Sequence, residues 1–102
     1  MVIAEVSIIP IGTKTPSVSK YITRAIEVLR QERGINYKLT AMGTLIEGEL
    51  EKVLEVIGNM HRSLFDQEVE RVITNIKIDD RRDKKLTMDY KVKSVMKKLD
   101  VK

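Results

Sequence analysis

From Val2 to Ile9 the chain alternates, with Val2, Ala4, Val6 and Ile8 apolar on one parity and Ile3, Glu5, Ser7 and Ile9 mixed on the other. A period of two predicts a strand with one buried face, and Pro10 and Gly12 are expected to end it. A polar loop follows, in which Thr15 before Pro16 suits an N-cap with proline at the first helical position. The helix is predicted to run to about Arg33, with Val18, Ile22, Ala25, Ile26 and Leu29 on one side and Gly34 as the residue that stops it. Alternation returns from Tyr37 to Met42, where Leu39 and Ala41 oppose Lys38, Thr40 and Met42. Met42-Gly43-Thr44 reads as a tight reversal into a third strand, Thr44 to Gly48. A second helix is expected from near Glu49, its inner stripe Leu50, Val53, Leu54, Ile57, His61, Leu64 and Phe65 at steps of three and four. Glu49 and Glu51 in its first turn complement the helix dipole. A long fourth strand, Val69 to about Asp79, carries Val72, Ile76 and Ile78 on one face.

The order β-α-β, β-α-β predicts an α+β fold of the ferredoxin-like βαββαβ type, the split βαβ pattern. The repetition of residues 1–42 by 43–79 is architectural, without residue-by-residue similarity. After a charged turn, Thr87 is placed to cap a third helix bearing Met88, Val92, Val95, Met96 and Leu99 on one side. The expectation is one domain over residues 1–102, with 86–99 as a C-terminal accessory helix. That apolar stripe must be covered, by the domain's own edge or by a neighbour.

In such a fold both helices cover one sheet face and the other lies open. The parity lists assign Val2, Ala4, Val6, Ile8, Leu39, Ala41, Ile46, Val72, Ile76 and Ile78 to the helices. They assign Ile3, Glu5, Ser7, Ile9, Thr40, Met42, Leu45, Glu47, Arg71, Ile73 and Asn75 to the open face. Four large aliphatics in the second set make a poor water-facing surface. A second subunit on that face resolves the conflict and predicts a homo-oligomer. Glu5 and Glu47 there need either Arg71 or lysine partners or a ligand.

Composition narrows the function classes. The 102 residues contain no Cys, which removes thiolate chemistry and disulfides and suits a cytoplasmic protein. The start of the chain has no basic segment before its apolar run, unlike a secretory signal, and no apolar stretch nears the ~20 residues that span a bilayer. Residues 1–78 hold ten Lys/Arg and ten Asp/Glu, and residues 79–102 hold nine and five, so the net +4 sits in the C-terminal quarter. A basic helix can meet nucleic acid, membrane or an acidic partner, and is more commonly a solvated face. One Phe, three Tyr and no Trp give no strand the aromatic pair on which such sheets stack bases. Neither a nucleic-acid nor a membrane partner is expected.

Candidate chemistry is sparse. His61 is the only imidazole; on an apolar stripe it reads as a hydrogen-bonded core residue, with a catalytic or ligand role as the alternative. No second His supports a metal pair. Asp79, Asp80 and Asp83 are interleaved with Arg81, Arg82 and Lys84, which favours self-neutralisation over cation binding. Ser17 and Ser19, at the first helix start, either cap and solvate it or help hold an anion. No nucleotide fingerprint, catalytic triad or carboxylate pair is present, so neither a catalytic residue nor a cofactor is expected.

The stretch Leu39-Thr40-Ala41-Met42-Gly43-Thr44-Leu45-Ile46-Glu47-Gly48-Glu49 resembles a segment of the small thiamine-binding protein family. Pro10-Ile11-Gly12-Thr13, Ser17-Val18-Ser19 and Ile76-Lys77-Ile78-Asp79-Asp80-Arg81-Arg82-Asp83 match as well, in an order and spacing that cover nearly the whole chain. The resemblance implies a ferredoxin-like fold, dimers associating into tetramers, and non-catalytic binding of thiamine or its hydroxymethylpyrimidine part, as a carrier or sensor. Parity joined to the matched segment then nominates Ser7, Thr40 and Glu47 to read the pyrimidine edge. Glu5 or Glu47 would offset the thiazolium, and Tyr37 or Met42 would pack on a ring. A pocket under the first helix would favour Ser17, Ser19 and His61 instead. The alternative function is a regulatory or scaffolding homo-oligomer that takes an anion or a protein partner.

Overall fold

A computed structural model describes residues 1–14 and 18–100. The elements are β1 (Val2–Ile11), α1 (Ser19–Arg30), β2 (Asn36–Thr40), β3 (Gly43–Gly48), α2 (Leu50–Ser63), β4 (Arg71–Asp79) and α3 (Met88–Asp100). The strands form one antiparallel sheet in the order β2-β3-β1-β4. This is the ferredoxin-like arrangement with an added C-terminal helix.

Even-numbered β1 residues turn inward. Val2, Ala4, Val6 and Ile8 pack with Ile46 of β3 against Tyr21, Ala25 and Leu29 of α1 and Val53, Val56, Ile57 and Met60 of α2. The helix stripes differ from expectation in detail. Tyr21, Val56 and Met60 are core residues, whereas Leu54 and Phe65 are exposed. The helices sit over the central strands, so Ile76 and Ile78 on edge strand β4 share the helix-side parity yet stand exposed, as does Leu39 on edge strand β2.

Several boundaries also move. β1 continues through Pro10 to Ile11, because beyond Val6 it pairs, among the described residues, with β4 alone, and proline is tolerated where one side of a strand has no neighbour. α1 ends at Arg30 with Gln31 as its C-cap, so Gly34 (φ 82°) belongs to the connection and does not stop the helix. The expected Thr15–Pro16 cap lies outside the described residues; Val18 is the N-cap of the helix that is seen. The β2–β3 reversal is at Ala41–Met42, one residue earlier than expected, and Gly43 already pairs with Thr40. A Cβ on Gly43 would lie 2.8 Å from the Val6 carbonyl oxygen, so only glycine allows the hairpin this close to β1.

Asp66 organises the return from α2 to β4. Its Oδ1 accepts the N–H groups of Glu68 and Val69 at 2.7 and 2.9 Å, and its Oδ2 accepts the Arg24 guanidinium of α1 at 2.7 Å. The Arg24 hydrogen bond first, then that from Glu68, holds the Asp66 carboxyl below the usual carboxylate range.

α3 stands apart. Thr87 caps it as expected, its Oγ1 accepting the Tyr90 N–H at 3.1 Å. None of its residues is buried, and Val92 and Leu99 are 61% and 63% exposed.

Candidate functional site

The register creates a cleft. The last β1–β3 pair is Val6 with Thr44, yet β1 runs on to Ile11. The hairpin tip Ala41–Met42 therefore leaves one side of β1 uncovered from Ser7 onward, and α1 roofs the gap. The result is a cavity of about 370 Å³. Its walls are mainly apolar: Ile8 and Ile9 from β1, Ile22 and Ile26 from α1, Leu39 from β2 and Met60 from α2. Ser7, Thr40 and Thr44 supply hydroxyls, and among the described residues no charged side chain lines it. A smaller hollow of about 230 Å³ adjoins it on the open sheet face, lined by Glu5, Ser7, Met42, Asn75, Ile76 and Lys77. Ser7 and Met42 belong to both, and Met42 is 89% exposed at the rim.

Four of the nominated residues, Glu5, Ser7, Thr40 and Met42, thus gather around two adjoining hollows. Thr40 Oγ1 donates to the Gly43 carbonyl at 2.8 Å, which leaves its oxygen able to accept. Glu5 is met by Lys77 at 3.6 Å, and not by Arg71.

The other nominees lie elsewhere. Glu47 is 7% exposed, and both its oxygens are engaged: Oε1 accepts Asn36 Nδ2 at 2.9 Å and Oε2 accepts the Met88 N–H at 2.8 Å. Its environment is a brace between β2, β3 and α3. Tyr37 pairs with Ile46 on the helix-side parity of the edge strand, outside both hollows. Ser19 is the first residue of α1, where its carbonyl accepts the Thr23 hydroxyl at 2.8 Å. Ser17 lies outside the described residues. His61 is partly buried, with Nδ1 2.6 Å from Thr74 Oγ1 and its ring edge-on to Phe65 at 5.4 Å. That hydrogen bond is to a hydroxyl and crosses from α2 to β4, as a structural histidine does.

Sequence reasoning missed the apolar walls. Ile22 and Ile26 carry the signal of a core stripe, and nothing in a stripe distinguishes a residue packed on a sheet from one roofing a cavity beside it.

The charged turn neutralises itself. Arg81 grips Asp83 through Nε and a terminal nitrogen at 2.6 and 2.9 Å, and Arg82 grips Asp80 at 2.9 Å. Each guanidinium holds its carboxylate partner below the usual range. Among the described residues no group of three or more His, Cys, Asp or Glu is placed to hold a metal. Among the described residues no helix is long and apolar enough to cross a membrane.

Residues 4–96 match the family model described as thiamine-binding protein. This chain belongs to that family. The Bacillus subtilis UPF0045 protein YqgV is 52% identical, covering 97% of this chain and 98% of its own. Among solved structures, the Methanocaldococcus jannaschii protein MJ1052 is 41% identical with a TM-score of 0.84, covering 92% of this chain and 94% of that one. A Bacillus cereus domain of unknown function, DUF77, is 38% identical with a TM-score of 0.77, covering 89% and 86%. Membership in the thiamine-binding protein family gives the cavity beside β1 a candidate class of occupant.

Proposed function

We propose that this protein binds thiamine, or its hydroxymethylpyrimidine half, without turning it over, and serves as a cytoplasmic carrier or sensor. The observation that carries the reading is the cavity of about 370 Å³ between α1 and the uncovered side of β1, in a chain of this family. Its size falls in the range of small-molecule sites, and its mix of apolar walls with a few hydroxyls suits a flat heteroaromatic ring. Met42 at the rim offers a polarisable thioether to stack on that ring. Glu5, in the adjoining hollow, is the nearest nominated carboxylate for a thiazolium cation. No nominated side chain combines a nucleophile with an acid or base at readable spacing, which favours binding over catalysis.

Calorimetric titration with thiamine and with hydroxymethylpyrimidine tests the reading. Saturable heat at micromolar affinity or tighter, about 8 kcal/mol or more, is expected for one of them. Ile22→Trp, which fills the cavity from its roof, should abolish that heat in a protein that still folds. No heat with either ligand would remove the reading.

A second reading, a regulatory or scaffolding homo-oligomer with an anion or protein partner, is favoured by the exposed apolar stripe of α3. The two are compatible, since dimers pairing into tetramers would cover both that stripe and the open sheet face.

A further inference from the structure

Four consecutive residues of β1, Val6 to Ile9, line the cavity, so the strand's main chain runs along it. β1 and β4 pair without a bulge from Ile3 with Asp79 to Ile11 with Arg71. The orientation of the β1 peptides is therefore regular, and residues two apart direct their N–H and C=O groups to the same side. The Val6 carbonyl oxygen points toward β3, since it is what a Cβ on Gly43 would strike at 2.8 Å. Ile8 and Pro10 point the same way. Pro10, with no N–H to give, falls on the parity where the β1–β4 ladder asks for none. β3 begins at Gly43, so among the described residues no strand answers the N–H and C=O of Ile8 on that side. Ile8 is among the residues that line the cavity between the hairpin tip and α1.

We infer that the backbone N–H and C=O of Ile8 form the recognition edge of the site, reading a ring nitrogen and its neighbouring amine as a paired strand would. This rests on the small-molecule reading above and narrows it. The group that enters the cavity is a neutral, amino-substituted nitrogen heterocycle, whether free or part of a larger ligand. Buried main-chain groups require hydrogen-bond partners, and a ring that supplies both an acceptor and a donor satisfies them together. With no charged side chain among the described residues of the walls, a phosphoryl group gains nothing by entering. A site built to pair with an amine discriminates strongly against the analogue that lacks it, because its own groups are then left unmatched.

The test is a titration of the isotope-labelled full chain with hydroxymethylpyrimidine, followed by amide resonances and by calorimetry. The Ile8 amide is assigned by its loss from isoleucine-labelled Ile8→Val protein. On saturation that amide should move downfield and exchange more slowly with solvent. The amides of Ser7 and Ile9, directed toward β4, should move less. The analogue without the ring amine should bind at least about tenfold more weakly. Saturable binding with the Ile8 amide unmoved, or equal affinity for the two compounds, would overturn the inference while leaving the small-molecule reading in place. Absence of binding by these compounds and by thiamine would overturn both.

Discussion

The carboxylate of Glu47 accepts the backbone N–H of Met88 at 2.8 Å, so a nearly buried side chain of the sheet anchors the first turn of α3. Its other oxygen holds Asn36 across the β2–β3 ladder. A carboxylate at a helix start answers one of the unpaired N–H groups there and sits favourably in the helix dipole. Glu47→Ala should therefore lower stability by about 2 kcal/mol, the scale of hydrogen bonds to a charged group. Urea denaturation would show this, while ligand affinity per folded molecule should change little. A large loss of affinity at unchanged stability would return Glu47 to the binding site.

Gly43 lies where the hairpin meets β1, and the atom opposing any side chain there is main-chain oxygen, which cannot rotate away. Gly43→Ala should cost about 2 kcal/mol through overpacking. Because Gly43 also lines the cavity, ligand affinity should fall with it. Denaturation and calorimetry on the same preparation would read both effects.

Along the apolar stripe of α3, Val92, Val95, Met96 and Leu99 are each more than half exposed, and only Met88 at its start is partly buried. Replacing Val92 and Leu99 together by Gln should leave the stability of an isolated subunit within about 0.5 kcal/mol, as for surface changes generally. If a second copy covers the stripe, light scattering should report a smaller particle for the variant. An unchanged mass would assign assembly to the open sheet face alone.

Asp66 contributes to the pH dependence of stability. Its carboxyl is held below the usual range in the folded protein, so its contribution is complete above the unfolded value of about 3.9 and is lost as pH falls through the depressed folded value. Asp66→Asn keeps an acceptor for the Glu68 and Val69 N–H groups and removes the charge facing Arg24. The variant should be less stable than wild type at neutral pH, with the gap closing in acid. A gap that stayed constant down to the acid range would mean that Arg24 draws nothing from that charge.

The sequence alone determined the element order, the two-sheet-face parity and the cap of α3, because each depends on neighbours within a few positions. Alternation places Val2, Ala4, Val6 and Ile8 on one face whatever lies above them, and Thr87 caps the helix that follows it through an N–H three residues away. The family resemblance added the likeness of the Leu39–Glu49 segment. The tertiary structure alone decided what those faces meet. Glu47 has the right parity for the open face and a plausible chemistry for a ligand, yet becomes a brace because Met88, 41 positions later in sequence, returns to it. The cavity arises because β1 outlasts β3, a difference in strand length that exists only once the register is set. Its recognition edge belongs to the backbone of Ile8, whose side chain says only that the position is apolar. Hydrogen-bonding groups common to every residue acquire specificity when the fold leaves one pair uncovered, and no pattern of side chains records where that happens.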